Sequence, residues 1–172
     1  MGDPRNPKRA DEPWNLERLR VLEREVRAIA PLVTLSGGWA WHFMAPAHEE
    51  LKLFHDHKDV DLFVEPERLP ELIHALTQRG YHRTWTRFDA LSENFYRYMR
   101  HVDGVKVLLD VFVRRVPSVQ VGDVRIVEPA TLLSFYGEIH STGDCISVLA
   151  ARGLLARGIS PIGRAELVTR PA

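Results

Sequence analysis

The sequence predicts an α+β or mixed α/β fold, and three observations carry that expectation. Leu16, Leu19, Leu22, Val26 and Ile29 recur at three- and four-residue intervals, the spacing of one buried helix face. The middle of the chain is rich in aromatic and β-branched residues and is cut by Asp103-Gly104 and Gly122-Asp123, dipeptides that close tight hairpins. Helical and extended segments then follow one another as helix, strand, helix, strand, helix, several strands and helices, an order that fits a sheet covered by helices.

Each element has its own local reason. Residues 1–13 are polar and hold three prolines, so they are expected to form a disordered arm. The first helix runs from Trp14 until Pro31 stops it. Residues 32–35 read as a short strand that enters Ser36-Gly37-Gly38, and residues 39–45 as a short helix halted by Pro46. A loop or irregular helix rich in His and Glu occupies 47–58. A strand follows over 59–64; Pro66 then opens a helix through Leu69, Leu72, Ile73 and Leu76 that Gly80 closes. Residues 81–88, 94–101 and 105–113 are β-compatible, and 119–121 with 124–126 flank the second turn. Helical pattern returns after Pro129 with Leu132, Leu133 and Tyr136, and again over 145–155, before a Gly- and Pro-punctuated tail. The expected division is an arm over 1–13, a main domain over 14–128 and a helical C-terminal segment over 129–172.

Composition narrows the function. A chain of 172 residues supports one full core with a small appendage. Its hydrophobic fraction of 45% and charged fraction of 27% are those of an ordinary soluble globular protein. Lysine plus arginine and aspartate plus glutamate both number 23, so no global field draws in nucleic acid or an anionic membrane. A nucleotide and its metal would have to be held locally. Cys145 is the single cysteine, which excludes an intramolecular disulfide and a cysteine-based zinc site and fits a reducing cytoplasm. No stretch is long and apolar enough to span a bilayer, and the N-terminus has no apolar signal core. A cytoplasmic protein is expected.

The chemistry concentrates in Asp59-Val60-Asp61. Residues two apart on a strand share a face, so two carboxylates project together while Val60, Leu62 and Val64 bury behind them. Like charges about 4 Å apart repel by roughly 4 kcal/mol at the effective dielectric of a protein surface, and a cation offsets that repulsion. A third acid, Asp110, ends the apolar run Val107-Leu108-Leu109. Upstream, Gly37-Gly38 joins a strand to a helix, where backbone N–H groups and the helix end favour an anion; Ser36 offers a hydroxyl to phosphate or caps the helix. Three carboxylates can hold one or two Mg²⁺ ions that bridge triphosphate oxygens. His42, His48, His55 and His57 with Glu49 and Glu50 are a weaker zinc alternative. Trp39, Trp41 and Cys145 read as core residues rather than ligand contacts.

On Leu35-Ser36-Gly37-Gly38-Trp39-Ala40, His57-Lys58-Asp59-Val60-Asp61-Leu62-Phe63 and Leu109-Asp110-Val111-Phe112, the chain resembles the nucleotidyltransferase superfamily, and within it small aminoglycoside-adenylyltransferase-like bacterial enzymes. The resemblance spans roughly residues 32–115. It implies a mixed sheet flanked by helices with a short C-terminal helical segment. It also implies Gly37 and Gly38 on the nucleotide phosphates, Asp59 and Asp61 on Mg²⁺, and Asp110 completing the metal site or deprotonating the acceptor hydroxyl. The implied reaction moves a nucleoside monophosphate from an NTP such as ATP to a small hydroxyl-bearing acceptor, releasing pyrophosphate. Tyr136 and His140 stand where relatives often place cations. The rival readings are a non-catalytic binding or regulatory module of the same fold and a toxin-like enzyme that modifies protein or tRNA.

Overall fold

The computed structural model describes residues 16–44, 59–85 and 94–136. The arm expected over 1–13, the His- and Glu-rich segment over 47–58 and the tail beyond 136 lie outside those residues. Helix α1 (Leu16–Ile29) buries Leu19, Leu22, Val26 and Ile29 and turns Arg20, Arg24 and Arg27 to solvent, as its spacing predicts. A 3₁₀ turn (Ala30–Leu32) holds Pro31, and strand β1 is consequently only Thr34–Leu35, shorter than the sequence led us to expect. Helix α2 (Gly37–Met44) starts at the glycines rather than after them. Its first intrahelical bond runs from the Ala40 N–H to the Ser36 carbonyl at 3.2 Å.

Strand β2 (Val60–Val64) leads through a 3₁₀ turn (Pro66–Arg68) to α3 (Leu69–Gln78). Pro70 lies in the first turn of α3, where a helix loses no hydrogen bond to proline. The remaining elements are β3 (His82–Thr84), β4 (Phe95–Val102), β5 (Val105–Val113), β6 (Ser118–Val121), β7 (Val124–Val127) and α4 (Pro129–Tyr136). Asp103 at φ 48° and Gly104 at φ 76° give the β4–β5 turn its two left-handed residues, the geometry whose twist matches the flanking strands.

The strands form one seven-stranded sheet in the order β3-β4-β5-β2-β1-β7-β6. Strand β2 is parallel to β5 and β1 is parallel to β7; the other neighbours are antiparallel. This is the mixed sheet with helices that the sequence predicts. The acidic strand β2 occupies its centre, so both its edges are hydrogen-bonded and its side chains are held in register from two sides.

One face of β2 and β5 carries Val60, Leu62, Val64, Val107, Leu109 and Val111, which share a single buried cluster with Leu19, Leu22 and Val26 of α1 and Leu72 and Leu76 of α3. Each such fully buried aliphatic side chain contributes about 1.5–3 kcal/mol. A buried carboxylate ties these layers together. Glu25 of α1 accepts hydrogen bonds from the Tyr81 hydroxyl at 2.9 Å, Arg79 Nη2 at 3.0 Å and Arg100 Nη1 at 3.4 Å.

Candidate active site

The opposite face of the central strands carries the acids. Asp61 of β2 lies directly beside Asp110 of β5 in the parallel register. Asp59 sits in a bend one residue before β2 begins, not on the strand as expected, yet its side chain joins the others. Oxygen atoms of Asp59, Asp61 and Asp110 all lie within 4.8 Å of one another. Asp59 and Asp61 are half-buried and Asp110 is buried. Hard carboxylate oxygens at that spacing suit Mg²⁺ rather than a softer metal, so this donor set fits the ion that the sequence implies.

The strand-to-helix turn reaches the same point. The Ser36 N–H donates to the Asp61 carbonyl at 2.8 Å, which locks the turn onto the acidic strand. Gly37 has φ +57°, and a Cβ there would stand 2.5 Å from Asp61 Oδ2. The carboxylate therefore packs on the space that glycine leaves open. Gly37 and Gly38 precede the first intrahelical bond of α2, so their amides belong to the orphan donors of a helix start. Because the Ser36 amide is spent on Asp61, only the hydroxyl of Ser36 is left for a ligand. The expected residues Ser36, Gly37, Asp59, Asp61 and Asp110 are thus brought to one place, with Gly38 buried directly behind Gly37.

The site also contains a residue that sequence reasoning passed over. Arg97 of β4 faces Asp110 across the sheet and grips it with two bonds, Nε to Oδ1 at 2.5 Å and Nη2 to Oδ2 at 2.6 Å. Charge-assisted, bidentate pairs of this kind are the strong class of hydrogen bond. The bond to Asp110 holds the guanidinium above its ordinary range, against the opposing cost of burial, and the charges of Asp59 and Asp61 add to the upward shift. The signal was legible. In the hairpin closed by Asp103-Gly104, Val102 opposes Val105, and counting back along both strands sets Arg97 opposite Asp110. Thr84 of β3 opposes Arg97 in turn, so Asp61, Asp110, Arg97 and Thr84 form a polar row across four strands. Two residues further along, Phe63, Phe112 and Phe95 form an aromatic row on the same face, with ring centroids 5.4 and 5.2 Å apart. Phe135 of α4 stands 5.7 Å from Phe63 and flanks this apolar floor.

The other candidates are placed differently. His42 is buried against Trp39 and Phe43, and its Nε2 lies 3.2 Å from a Glu23 carboxylate oxygen, so it packs between α2 and α1. His48, His55, His57, Glu49, Glu50, His140 and Cys145 lie outside the described residues, as do the side chains of Trp41 and Tyr136. Trp39 is fully buried, the core role expected for it.

The chain has a nucleotidyltransferase-like fold, shared with solved structures. It resembles the solution structure of the antibiotic-resistance factor ANT(2'')-Ia, with a TM-score of 0.52 and 16% identity over 90% of each chain. The crystal structure of ANT(2'')-Ia in complex with adenylyl-2''-tobramycin gives a TM-score of 0.55 and 13% identity, covering 83% of this chain and 92% of that one. The Megavirus polyadenylate synthase matches with a TM-score of 0.51 and 14% identity, over 87% of this chain but only 37% of the viral enzyme. No protein-family model matches the sequence, and no curated protein matches it.

Proposed function

We propose that this protein is a Mg²⁺-dependent nucleotidyltransferase that moves a nucleoside monophosphate from an NTP to a hydroxyl of a small acceptor, with release of pyrophosphate. The observation that carries this reading is the meeting of three carboxylates within 4.8 Å beside the Gly37 turn, on a nucleotidyltransferase fold. Asp59 and Asp61 would hold the ion, and its chemistry when bound is to neutralise triphosphate charge and orient the phosphates for in-line displacement. The amides of Gly37 and Gly38 supply donors to phosphate oxygens at the start of α2. Asp110 would accept the acceptor hydroxyl's proton. The aromatic row of Phe63, Phe112 and Phe95 offers a flat apolar surface next to the charges. ATP is the favoured NTP and an aminoglycoside-like polyol the favoured acceptor, because the ANT(2'')-Ia complex holds an adenylylated tobramycin. The cytoplasm supplies both ATP and Mg²⁺. No described helix is long and apolar enough to cross a membrane.

Binding and turnover are tested separately. ATP with Mg²⁺ near 100-fold over its dissociation constant stabilises a folded protein by about 2.7 kcal/mol, which corresponds to a rise in melting temperature of about 5–10 °C for a chain of this size. Asp59→Asn abolishes that rise. A wild-type melting curve indifferent to every NTP with Mg²⁺ sinks the proposal. A pyrophosphate-release assay over a panel of polyol acceptors then distinguishes an enzyme from a module that only binds.

A further inference from the structure

We propose that Arg97 and Thr84 form the acceptor end of the site, where they select an acceptor that presents an oxygen, not an amino group, next to Asp110. The inference rests on the nucleotidyl-transfer reading above and narrows the acceptor of that reaction. Three observations carry it. Arg97 spends Nε and Nη2 on the two oxygens of Asp110, and its third nitrogen, Nη1, makes no hydrogen bond to a described residue. The side chain keeps 21% of its surface exposed, so the guanidinium is not sealed within the sheet. Thr84 stands opposite Arg97 on the same face, and its Oγ1 is buried with no hydrogen-bond partner among the described residues. A hydroxyl in that position destabilises a fold, so the strand carries it at a loss unless a ligand uses it.

The position of both groups fits the acceptor rather than the nucleotide. Gly37 lies against Asp61 on the β1 side of β2, whereas β5, β4 and β3 follow on the other side. In-line displacement sets the attacking and leaving oxygens on opposite sides of the phosphorus. With the triphosphate on the glycine turn, the attacking hydroxyl comes from the side of Asp110, and the rest of the acceptor lies over Arg97 and Thr84. A second acceptor oxygen there receives the hydrogens of Nη1 and, after a rotation of Thr84 about χ1, bonds its hydroxyl. An ammonium group in the same place meets a fixed positive charge that can only donate. An aminoglycoside-like polyol therefore enters with a hydroxyl-bearing ring at this end and its amino groups held away. Asp110 keeps its role as base: a carboxylate offers about four acceptor positions, and Arg97 takes two of them.

Pyrophosphate release is measured with ATP, Mg²⁺ and cyclic polyols, namely methyl glucosides and inositols, each paired with its monoamino analogue. The wild-type protein should use the hydroxyl member of a pair about tenfold better in kcat/KM. Thr84→Val should melt at or above the wild-type temperature, because the lost hydroxyl had no partner and a methyl fills the same shape. Its KM for the polyol should rise about three- to tenfold while its KM for ATP is unchanged. Thr84→Ser keeps the hydroxyl and should keep the wild-type KM. Arg97→Lys keeps a positive charge beside Asp110 but loses the far-side donor, and should raise the polyol KM about tenfold. Thr84→Val touches neither the acids nor the grip of Arg97, so the comparison stands if Arg97→Lys fails to fold. A Thr84→Val protein that melts below wild type, an unchanged polyol KM in it, or a preference for the amino analogues overturns the inference and leaves the proposed function standing. Wild-type protein that releases no pyrophosphate with any of these acceptors overturns the proposed transfer to a polyol, and this inference with it.

Discussion

Gly37 meets two demands that no other residue type meets together. Its φ of +57° lies in the left-handed region, and the space where a Cβ would sit is taken by Asp61 Oδ2. Alanine there pays about 1–2 kcal/mol for backbone conformation, and it also pushes a carboxylate out of the acidic cluster. Gly37→Ala should therefore lower thermal stability modestly and weaken Mn²⁺ binding at the same time. Retained metal affinity in a folded Gly37→Ala protein would show that the Asp61 carboxylate can relocate without loss. Asp61 illustrates why such a position matters: its backbone carbonyl accepts from Ser36 and its side chain lies against Gly37. One residue thereby links the glycine turn to the acidic strand.

At the scale of elements, the β4–β5 hairpin does for Arg97 and Asp110 what sequence proximity does for Asp59 and Asp61. Gly104 at φ +76° has open space around its Cα, so a substitution there is resisted by conformation and not by crowding. Gly104→Val should cost about 1–2 kcal/mol, read as a lower urea midpoint with an unchanged slope. The surface pair between Arg24 of α1 and Asp103 in the same turn, at 2.7 Å, adds little because both partners are exposed. Helix α4 is started by Glu128, whose carboxylate accepts from the Thr131 N–H at 3.1 Å and from its hydroxyl at 2.8 Å. Loss of such a cap costs about 0.5–2 kcal/mol, and it loosens the helix that sets Phe135 beside the aromatic row.

The whole molecule responds to pH through a few groups. Burial pushes the Tyr81 hydroxyl above the ordinary tyrosine range, and the Glu25 charge and hydrogen bond add to that shift. A raised folded-state pKa means that the unfolded chain loses its proton first. The associated stability is complete below about pH 10 and is lost as pH rises beyond it. Tyr81→Phe should flatten the alkaline limb of a melting-temperature profile, though it also removes a hydrogen bond from Glu25 and lowers the plateau. An alkaline limb of equal slope in Tyr81→Phe would assign the effect elsewhere. On the acid side, hydrogen bonds from Thr131 lower Glu128 and a hydrogen bond from Arg27 lowers Asp123. Their contribution is present above the ordinary carboxylate range and is lost as pH falls through it; Asp123 is exposed and Glu128 is only half-buried, so the effect is small.

How much of this was legible before folding depends on the range of each interaction. The first helix, the acidic strand, both hairpins and the candidate residues Ser36, Gly37, Gly38, Asp59, Asp61 and Asp110 follow from local pattern, because periodicity, turn chemistry and strand alternation act over a few residues. Boundaries shifted where two local preferences competed, as when the turn around Pro31 took residues from β1. The sheet order was not legible, since placing β2 at the centre with β5 parallel beside it depends on contacts between segments far apart in the chain. By itself the sequence determined which groups are chemically suited to the site. Only the tertiary structure decided that the Arg97–Asp110 pair, set locally by the β4–β5 hairpin, meets Asp61. That encounter follows from the pairing of β2 with β5, which is set by burial across the whole sheet.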